Sequence, residues 1–354
     1  KLQNAIEHVA VDLGYGYVKA ISSTTGKRVV FPSLVGKGYD LSVTGGIFGN
    51  RKNDLSNIYV SYDGENYFVG ELAERESRTV SRIFDQERFR HVYTKILLNV
   101  AIQLVTDGKV EQVNVSTGLP LDFFKSQSKE FQQSILGEQP VVEWKAGNLF
   151  GQKIKLNIKN ALVFPQGASA IFTALINHNG NFAYPHLMNA GNLIGLIDIG
   201  FRTTDFVVIE IQEDSSFVPK VKLSGTIDEG VNNLHQQIKQ YFKEKTGGAD
   251  LNEFHMSKIL KNGYITFKGE KIHFIDVIQS IKKSIATNIA DRLKTIWVEE
   301  VDLFDMIFLA GGGGSLFYDF IQPHFDNRLE LINESQFANA IGYLRLGNRM
   351  LGRK

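Results

Sequence analysis

The chain is 354 residues long, 43% apolar and 22% charged, a composition that fits two soluble globular domains or one large α/β unit divided by a cleft. Its 39 basic and 38 acidic side chains leave a formal charge of +1, so no global field draws nucleic acid or an anionic membrane to it. The absence of cysteine excludes disulfides, thiolate catalysis and cysteine-ligated zinc.

The first elements are carried by VAVDLGYGYVKA, residues 9–20. Val9 to Val11 read as a short buried strand ending at Asp12, and Tyr17, Val18 and Ala20 resume strand character after a glycine-bounded turn. Gly14 and Gly16 can take φ > 0 and leave backbone N–H groups uncovered, so an acceptor-rich ligand such as phosphate can lie on the turn. Lys19 alternates onto one face of the second strand and can point back over the turn, while Asp12 stands where a carboxylate can hold the water shell of a metal. The same residues also suit a plain hairpin with a solvated Asp and Lys. The pattern is not a dinucleotide fingerprint, which needs a third glycine and a following helix. Nor is it a P-loop, because no Gly-Lys pair here precedes Ser or Thr.

A third strand, KRVVFPS, precedes a polar, glycine-rich stretch from Gly36 to Asn57 that reads as an insertion, followed by strands at IYVSYDG and NYFVGEL. A long amphipathic helix is expected from about Asp85, its N-cap, to Thr106, then a buried strand VEQVNVSTG, together a crossover unit. The second half repeats the plan. NLIGLIDIG, TTDFVVIEI and SFVPKVKLSG are three expected strands, and a helix follows from about Glu229 to Glu244 with Asp228 near its start. A mixed segment from Gly247 to Lys271, a long helix from about Phe274 to Val298 and a buried strand MIFLAG complete the half. The chain therefore reads as a duplicated α/β domain. The tail GYLRLGNRMLGRK is expected to be a solvated basic turn.

The hairpin question recurs in LIDIGFRTTDFVVI, residues 196–209: Asp198 ends a strand, Gly200 opens the turn, and Thr203, Thr204 and Asp205 supply two hydroxyls and a second acid. In IFLAGGGGSLF, residues 307–317, an apolar strand runs into Gly311, Gly312, Gly313 and Gly314, with Ser315 expected to cap a short helix. If the halves face each other, both turns converge on one cleft. The eight histidines lack metal spacing, and His8, His91 and His235 read as surface or hydrogen-bonded residues. No apolar run reaches the roughly 20 residues of a membrane span and the N-terminus has no signal-peptide core, so the expected location is the cytoplasm.

Asp-X-Gly-X-Gly-X-X-Lys, then Asp-X-Gly-X-X-Thr-Thr-Asp, then a strand into four glycines, in this order and in duplicated halves, resembles the actin/Hsp70/sugar-kinase ATPase superfamily. VFPQGASAIF, residues 163–172, has the form of its connecting helix. VVFPSLVG (29–36), YFVGELA (67–73) and STGLPLDFF (116–124) resemble the ParM/Alp plasmid-segregation and archaeal actin-like group. The resemblance implies duplicated actin-like, ribonuclease H-like domains flanking a nucleotide cleft. The first would be residues 1–164 with an insert at about 33–80, completed by a C-terminal helix at about 335–354; the second would be 165–334 with an insert at about 232–272.

The resemblance also implies site residues. Asp12 and Asp198 would orient waters around Mg²⁺. The turns Gly14, Tyr15, Gly16, Tyr17 and Gly200 to Thr204 would clamp the β- and γ-phosphates of ATP or ADP, and Lys19 would neutralise their charge. Gln166 would orient the attacking water, Gly311 to Gly314 would pass beside the adenosine, and Gly230 would lie near the ribose. Gln236 and Lys239 are the candidates for contacting adenine. The implied activity is slow Mg²⁺-dependent ATP hydrolysis coupled to a head-to-tail filament of the chain itself, moving DNA through a separate DNA-binding adaptor. The alternative is a non-polymerising ATP-gated module or a small-molecule kinase, with Asp205 as its only candidate base. Direct contact with nucleic acid or membrane is not expected. The segments 41–57 and 247–271 match no known pattern, and partner or filament specificity is expected there.

Overall fold

The computed structural model describes residues 6–39, 55–77, 79–81, 88–326 and 328–352. The chain divides into two compact units, residues 1–169 with 339–354, and residues 170–338.

In the first unit β1 (Glu7–Leu13), β2 (Tyr17–Ser22) and β3 (Arg28–Pro32) are followed by β4 (Val35–Lys37), β5 (Ile58–Tyr62), β6 (Glu65–Val69), α1 (Glu71–Glu76) and β7 (Val80–Ser81). Then come α2 (Val92–Val105), β8 (Gln112–Leu119), α3 (Leu121–Ile135), β9 (Gly137–Glu138), β10 (Val142–Ala146), β11 (Lys153–Ile154) and β12 (Asn157–Pro165); α4 (Ala168–Leu175) follows, belonging to the second unit from residue 170 on. The main sheet has the order β3-β2-β1-β8-β12-β9, with β2 antiparallel to β1 and β3, and β8 parallel to β1 and β12. Val9, Ala10 and Val11 are fully buried, as strands covered on both faces require.

A second sheet, β11-β10-β5-β6-β4-β7, is built from the expected insert plus two strands that lie after α3 in the chain. The sequence reading placed no strands at β10 and β11, whose runs are short and lysine-interrupted. Trp144 on β10 is buried and its indole N–H donates to Gln103 Oε1 of α2 at 2.6 Å, which ties the insert to the core. The expected helix from Asp85 is α2, which begins at Val92 with the His91 ring accepting from the Tyr93 N–H; Asp85 itself and residues 40–54 of the insertion lie outside the described residues.

The second unit contains β13 (Leu193–Ile199), β14 (Thr204–Ile211), β15 (Phe217–Pro219), β16 (Gly225–Ile227), α5 (Val231–Thr246), α6 (Glu253–Asn262), β17 (Tyr264–Phe267), β18 (Glu270–His273), α7 (Ile275–Trp297), β19 (Phe304–Ala310), α8 (Gly314–Ile321) and β20 (Leu329–Leu331). The chain closes with α9 (Ala338–Met350). Strand order is β15-β14-β13-β19-β20, with β14 antiparallel to β13, and β19 parallel to β13 and β20. Both sheets thus run third-second-first-fourth-fifth with the same strand senses, and the α/β duplication expected from the sequence is present. SFVPKVKLSG is not one strand. A turn at Val221–Leu223 breaks it, and both pieces pair with β14. In α7 the buried Ile278, Ile281, Ile285 and Ile289 recur at helical spacing and face the core.

The tail is not a solvated turn either. Tyr343 of α9 is fully buried and stacks on Phe164, and His8 bonds Asn348 of the helix at 2.6 Å and Ser116 at 2.8 Å. A Cβ on Gly342 would lie 2.0 Å from Ser169 O, and one on Gly347 would lie 2.1 Å from Ser116 Oγ. Two glycines five residues apart therefore bring this helix against the start of α4 and against β8 of the first sheet. Among the described residues no helix is long and apolar enough to cross a membrane.

Candidate functional site

In the first unit the β1–β2 register sets Asp12 opposite Lys19 and closes at Leu13 opposite Val18, leaving a turn of four residues, 14–17. Directly opposed residues share a face, and the Lys19 ammonium lies 2.9 Å from Asp12 Oδ2. The other oxygen, Oδ1, accepts from Gln166 Nε2 at 3.2 Å. Asp12, Lys19 and Gln166, which come from distant parts of the sequence, thus meet at one carboxylate that is 3% exposed. Lys19 rests on that carboxylate, so its charge is shared between Asp12 and any anion that approaches the turn.

Gln166 is placed by the end of β12: its N–H donates to Leu119 O at 2.8 Å, and the next residue, Gly167, has φ +75° and donates its N–H to Asn339 Oδ1 at 3.0 Å. The turn itself is propped by Ser33, whose hydroxyl donates to Gly14 O at 2.6 Å and whose N–H donates to Gly16 O at 2.9 Å. Sequence reasoning missed Ser33 and Asn339 because each acts through a backbone group far from it in the chain. A Cβ on Gly14 would sit 2.7 Å from Tyr17 O. Tyr15 is half-buried and Tyr17 exposed.

The second unit repeats the device with a turn of the same length. Asp198 opposes Asp205, Ile199 opposes Thr204, and the turn 200–203 closes with the Gly200 N–H on Thr203 O at 2.8 Å. A Cβ on Gly200 would lie 2.9 Å from Thr203 O, the same collision as at Gly14. The turn's carbonyls cap α5: Val231 N–H donates to Gly200 O at 3.1 Å and Asn232 N–H to Phe201 O at 2.7 Å, which satisfies amides that a helix start leaves open. Gly230 packs beneath them, since its Cβ would stand 2.7 Å from Gly200 O. The Thr204 hydroxyl is buried and donates to Glu229 O at 2.8 Å, which leaves Thr203 as the turn's other hydroxyl. Asp205 accepts from the Thr226 hydroxyl at 2.6 Å across the sheet, a structural role.

The four glycines divide by task. Gly311 has φ +86°, and its Cβ would fall 2.3 Å from both Asp198 Oδ1 and Ile199 O; Gly313 donates its N–H to Ile199 O at 2.8 Å. Gly314 is buried as the first residue of α8, so Ser315 lies inside the helix and is not its cap. At Gly312 alone a Cβ would meet nothing within 4 Å. Asp198, the turn 200–203, Gly230 and this loop therefore form one cradle within the second unit. Asp198 is 6% exposed and Asp12 is also buried, and among the described residues no cluster of three His, Asp or Glu could hold a metal directly. Each of these carboxylates, taken within its own unit, fits a cation bound through water.

Phe201 continues the cradle outward. Its ring meets His235 edge-on at 5.3 Å, His235 lies 2.9 Å from Glu253 Oε2, and Lys239 lies 2.5 Å from Glu253 Oε1. Lys239 is thus engaged by Glu253, and Gln236 is exposed with its amide near Asn232. Burial alone would raise the Glu253 carboxyl, but the His235 hydrogen bond and charge, followed by Lys239, hold it down to about 2. A depressed carboxylate stabilises the fold above its unfolded pKa of about 4.5 and ceases to as pH falls through about 2. Acid unfolding of the wild type should therefore lose roughly 2–3 kcal/mol across that window, and Glu253→Gln should flatten it, as read by fluorescence-monitored denaturation at stepped pH.

Residues 10–168 match the family model for the actin-like protein N-terminal domain, and residues 196–323 match that of the archaeal actin homologue MreB-like C-terminal domain. Among solved structures, the chain is similar to the ParM of a 15-stranded filament from Clostridium botulinum, at 32% identity and a TM-score of 0.84 over 97% of this chain and 99% of that one. A non-polymerisable quadruple mutant of pCBH ParM is similar at 31% identity and 0.83, with the same coverage. The archaeal actin homologue Ta0583, in complex with ADP, shares the fold at 22% identity and 0.76, over 97% of this chain and 100% of that one. No curated protein sequence matches the chain.

Proposed function

Because the chain belongs to the actin-like protein family, we propose that it is a Mg²⁺-dependent ATPase that assembles head to tail into filaments. The observation that carries this reading is the repeated turn. In each unit a glycine that cannot accept a Cβ opens a backbone loop two residues after a buried aspartate on the first strand of the sheet.

In this reading the turns 14–17 and 200–203 bind the β- and γ-phosphates of one nucleotide, and the Gly311–Gly313 loop takes the nucleoside past the open face at Gly312. Magnesium, when bound, neutralises phosphate charge, and Asp12 and Asp198 hold its waters. Lys19 adds a positive charge that Asp12 keeps aimed at the turn. Gln166, locked by its bond to Asp12, orients water for in-line attack. A neutral amide positions without abstracting a proton, so turnover is slow. The kinase alternative is not favoured, since its one candidate base, Asp205, is occupied by Thr226 within the sheet.

Self-assembly is supported by the similarity to filament-forming ParM, and a segregation role follows by the same analogy, with a separate DNA-binding adaptor as the link to cargo and the cytoplasm as the site of action. The charge of +1 suits such indirect attachment. Calorimetric titration with Mg·ATP, Mg·ADP and Mg·GTP tests the binding step. One-to-one, magnesium-dependent binding of ATP is expected, and the absence of binding by every nucleotide would overturn the reading.

A further inference from the structure

The two turns are built alike and charged differently. In the first unit the strand register sets Lys19 opposite Asp12, and the ammonium stays on that carboxylate at 2.9 Å. In the second unit the same register position, opposite Asp198, holds Asp205, whose carboxylate accepts from the Thr226 hydroxyl at 2.6 Å. A polyphosphate on the turn 200–203 would therefore meet acids on both strands, where the first unit supplies a cation.

The turn carries a cation of its own. Gly14, Tyr15, Gly16 and Tyr17 align with Gly200, Phe201, Arg202 and Thr203, so an arginine stands where the first unit has its second glycine. Its backbone is fixed from below. The carbonyls of Gly200 and Phe201 accept from Val231 and Asn232 of α5, and a Cβ on Gly230 would lie 2.9 Å from the Arg202 carbonyl carbon. The side chain reaches outward: it is 34% exposed, and its Nε lies 3.5 Å from Oδ1 of Asp228, a side chain 77% exposed. That separation exceeds the about 2.7–2.9 Å of a charge-assisted hydrogen bond, and an exposed pair of this kind yields readily to a stronger anion.

We propose that Arg202 is the phosphate-binding cation of the second unit, paired with Asp228 when no nucleotide is bound and transferred to the polyphosphate when one binds. This assignment rests on the nucleotide-binding reading and adds to it a side chain that acts from inside the turn. A guanidinium presents a planar fork of N–H donors that matches two phosphate oxygens, and a nucleoside di- or triphosphate carries more charge than one exposed carboxylate. Asp228 is held beside the turn because the next residue, Glu229, accepts the Thr204 hydroxyl on its carbonyl at 2.8 Å. The carboxylate and the phosphates thus compete for one guanidinium, and removing either member of the pair has opposite consequences for binding.

The test is calorimetric titration of the full chain with Mg·ATP and Mg·ADP, with thermal unfolding of every variant to show that the fold is intact. Arg202→Gln should lower the affinity for both nucleotides at least about tenfold and make it less sensitive to added salt, because one cation fewer faces the phosphates. Asp228→Asn should raise the affinity about threefold, and that gain should shrink below about 1.5-fold when Arg202→Gln is also present. A pair that only braces the surface would move both single variants in the same direction. That result, an Arg202→Gln affinity within about twofold of the wild type, or an Asp228→Asn gain just as large without Arg202, would overturn the assignment while the nucleotide reading stood. A wild-type chain that binds neither nucleotide would remove both.

Discussion

Gln166→Ala should lower steady-state phosphate release by about 100-fold while ATP affinity stays within about threefold of the wild type. The amide is held at both ends, by its side-chain bond to Asp12 at 3.2 Å and by its backbone bond to Leu119 at 2.8 Å, so its direction is set before a nucleotide arrives. Such a group acts mainly by fixing the attacking water, and removing it costs rate more than binding. Asp12 would still carry Lys19, and the buried charge pair would survive. Single-turnover phosphate release beside equilibrium binding separates the two effects. Equal losses in both would show that Gln166 only supports the turn.

A second large effect is expected at the glycine loop, where two adjacent positions should behave in opposite ways. Gly312→Leu adds a side chain where a Cβ meets nothing within 4 Å and the backbone is not in the left-handed region, so the fold should be unchanged. ATP affinity should nevertheless fall at least about 100-fold, because the added side chain occupies the path assigned to the nucleoside. Gly311→Ala should instead destabilise the second unit by about 2–4 kcal/mol, since φ is +86° and the new methyl would strike Ile199 O and Asp198 Oδ1 at 2.3 Å. Thermal unfolding and nucleotide titration of both variants check this. A Gly312→Leu protein with unaltered affinity would move the nucleoside elsewhere.

How much of this was legible in the sequence depended on distance along the chain. The sheets were legible because β13 and β19 are nearly continuous apolar runs and β1 and β8 carry Val at alternating positions, and the two turns because Asp-X-Gly is local. What was missed is non-local. Ser33 and Asn339 act on backbone atoms of residues 14, 16 and 167, for which no local pattern exists. The C-terminal helix looked like a solvated tail because its arginines are conspicuous, whereas Gly342 and Gly347, which dock it, show their purpose only when Ser169 and Ser116 are seen against them. The same holds for Gly311 to Gly314: one run of four identical residues contains one strained position, one open position and two that pack.

The most direct test of the central claim is sedimentation of the purified chain across a concentration series with Mg·ATP, with Mg·ADP and without nucleotide, beside Asp198→Ala. Pelleted protein should rise linearly above a critical concentration with Mg·ATP, with filaments visible by electron microscopy, and should stay at baseline in the variant. Mg·ATP binding with no pellet at any concentration would contradict the account.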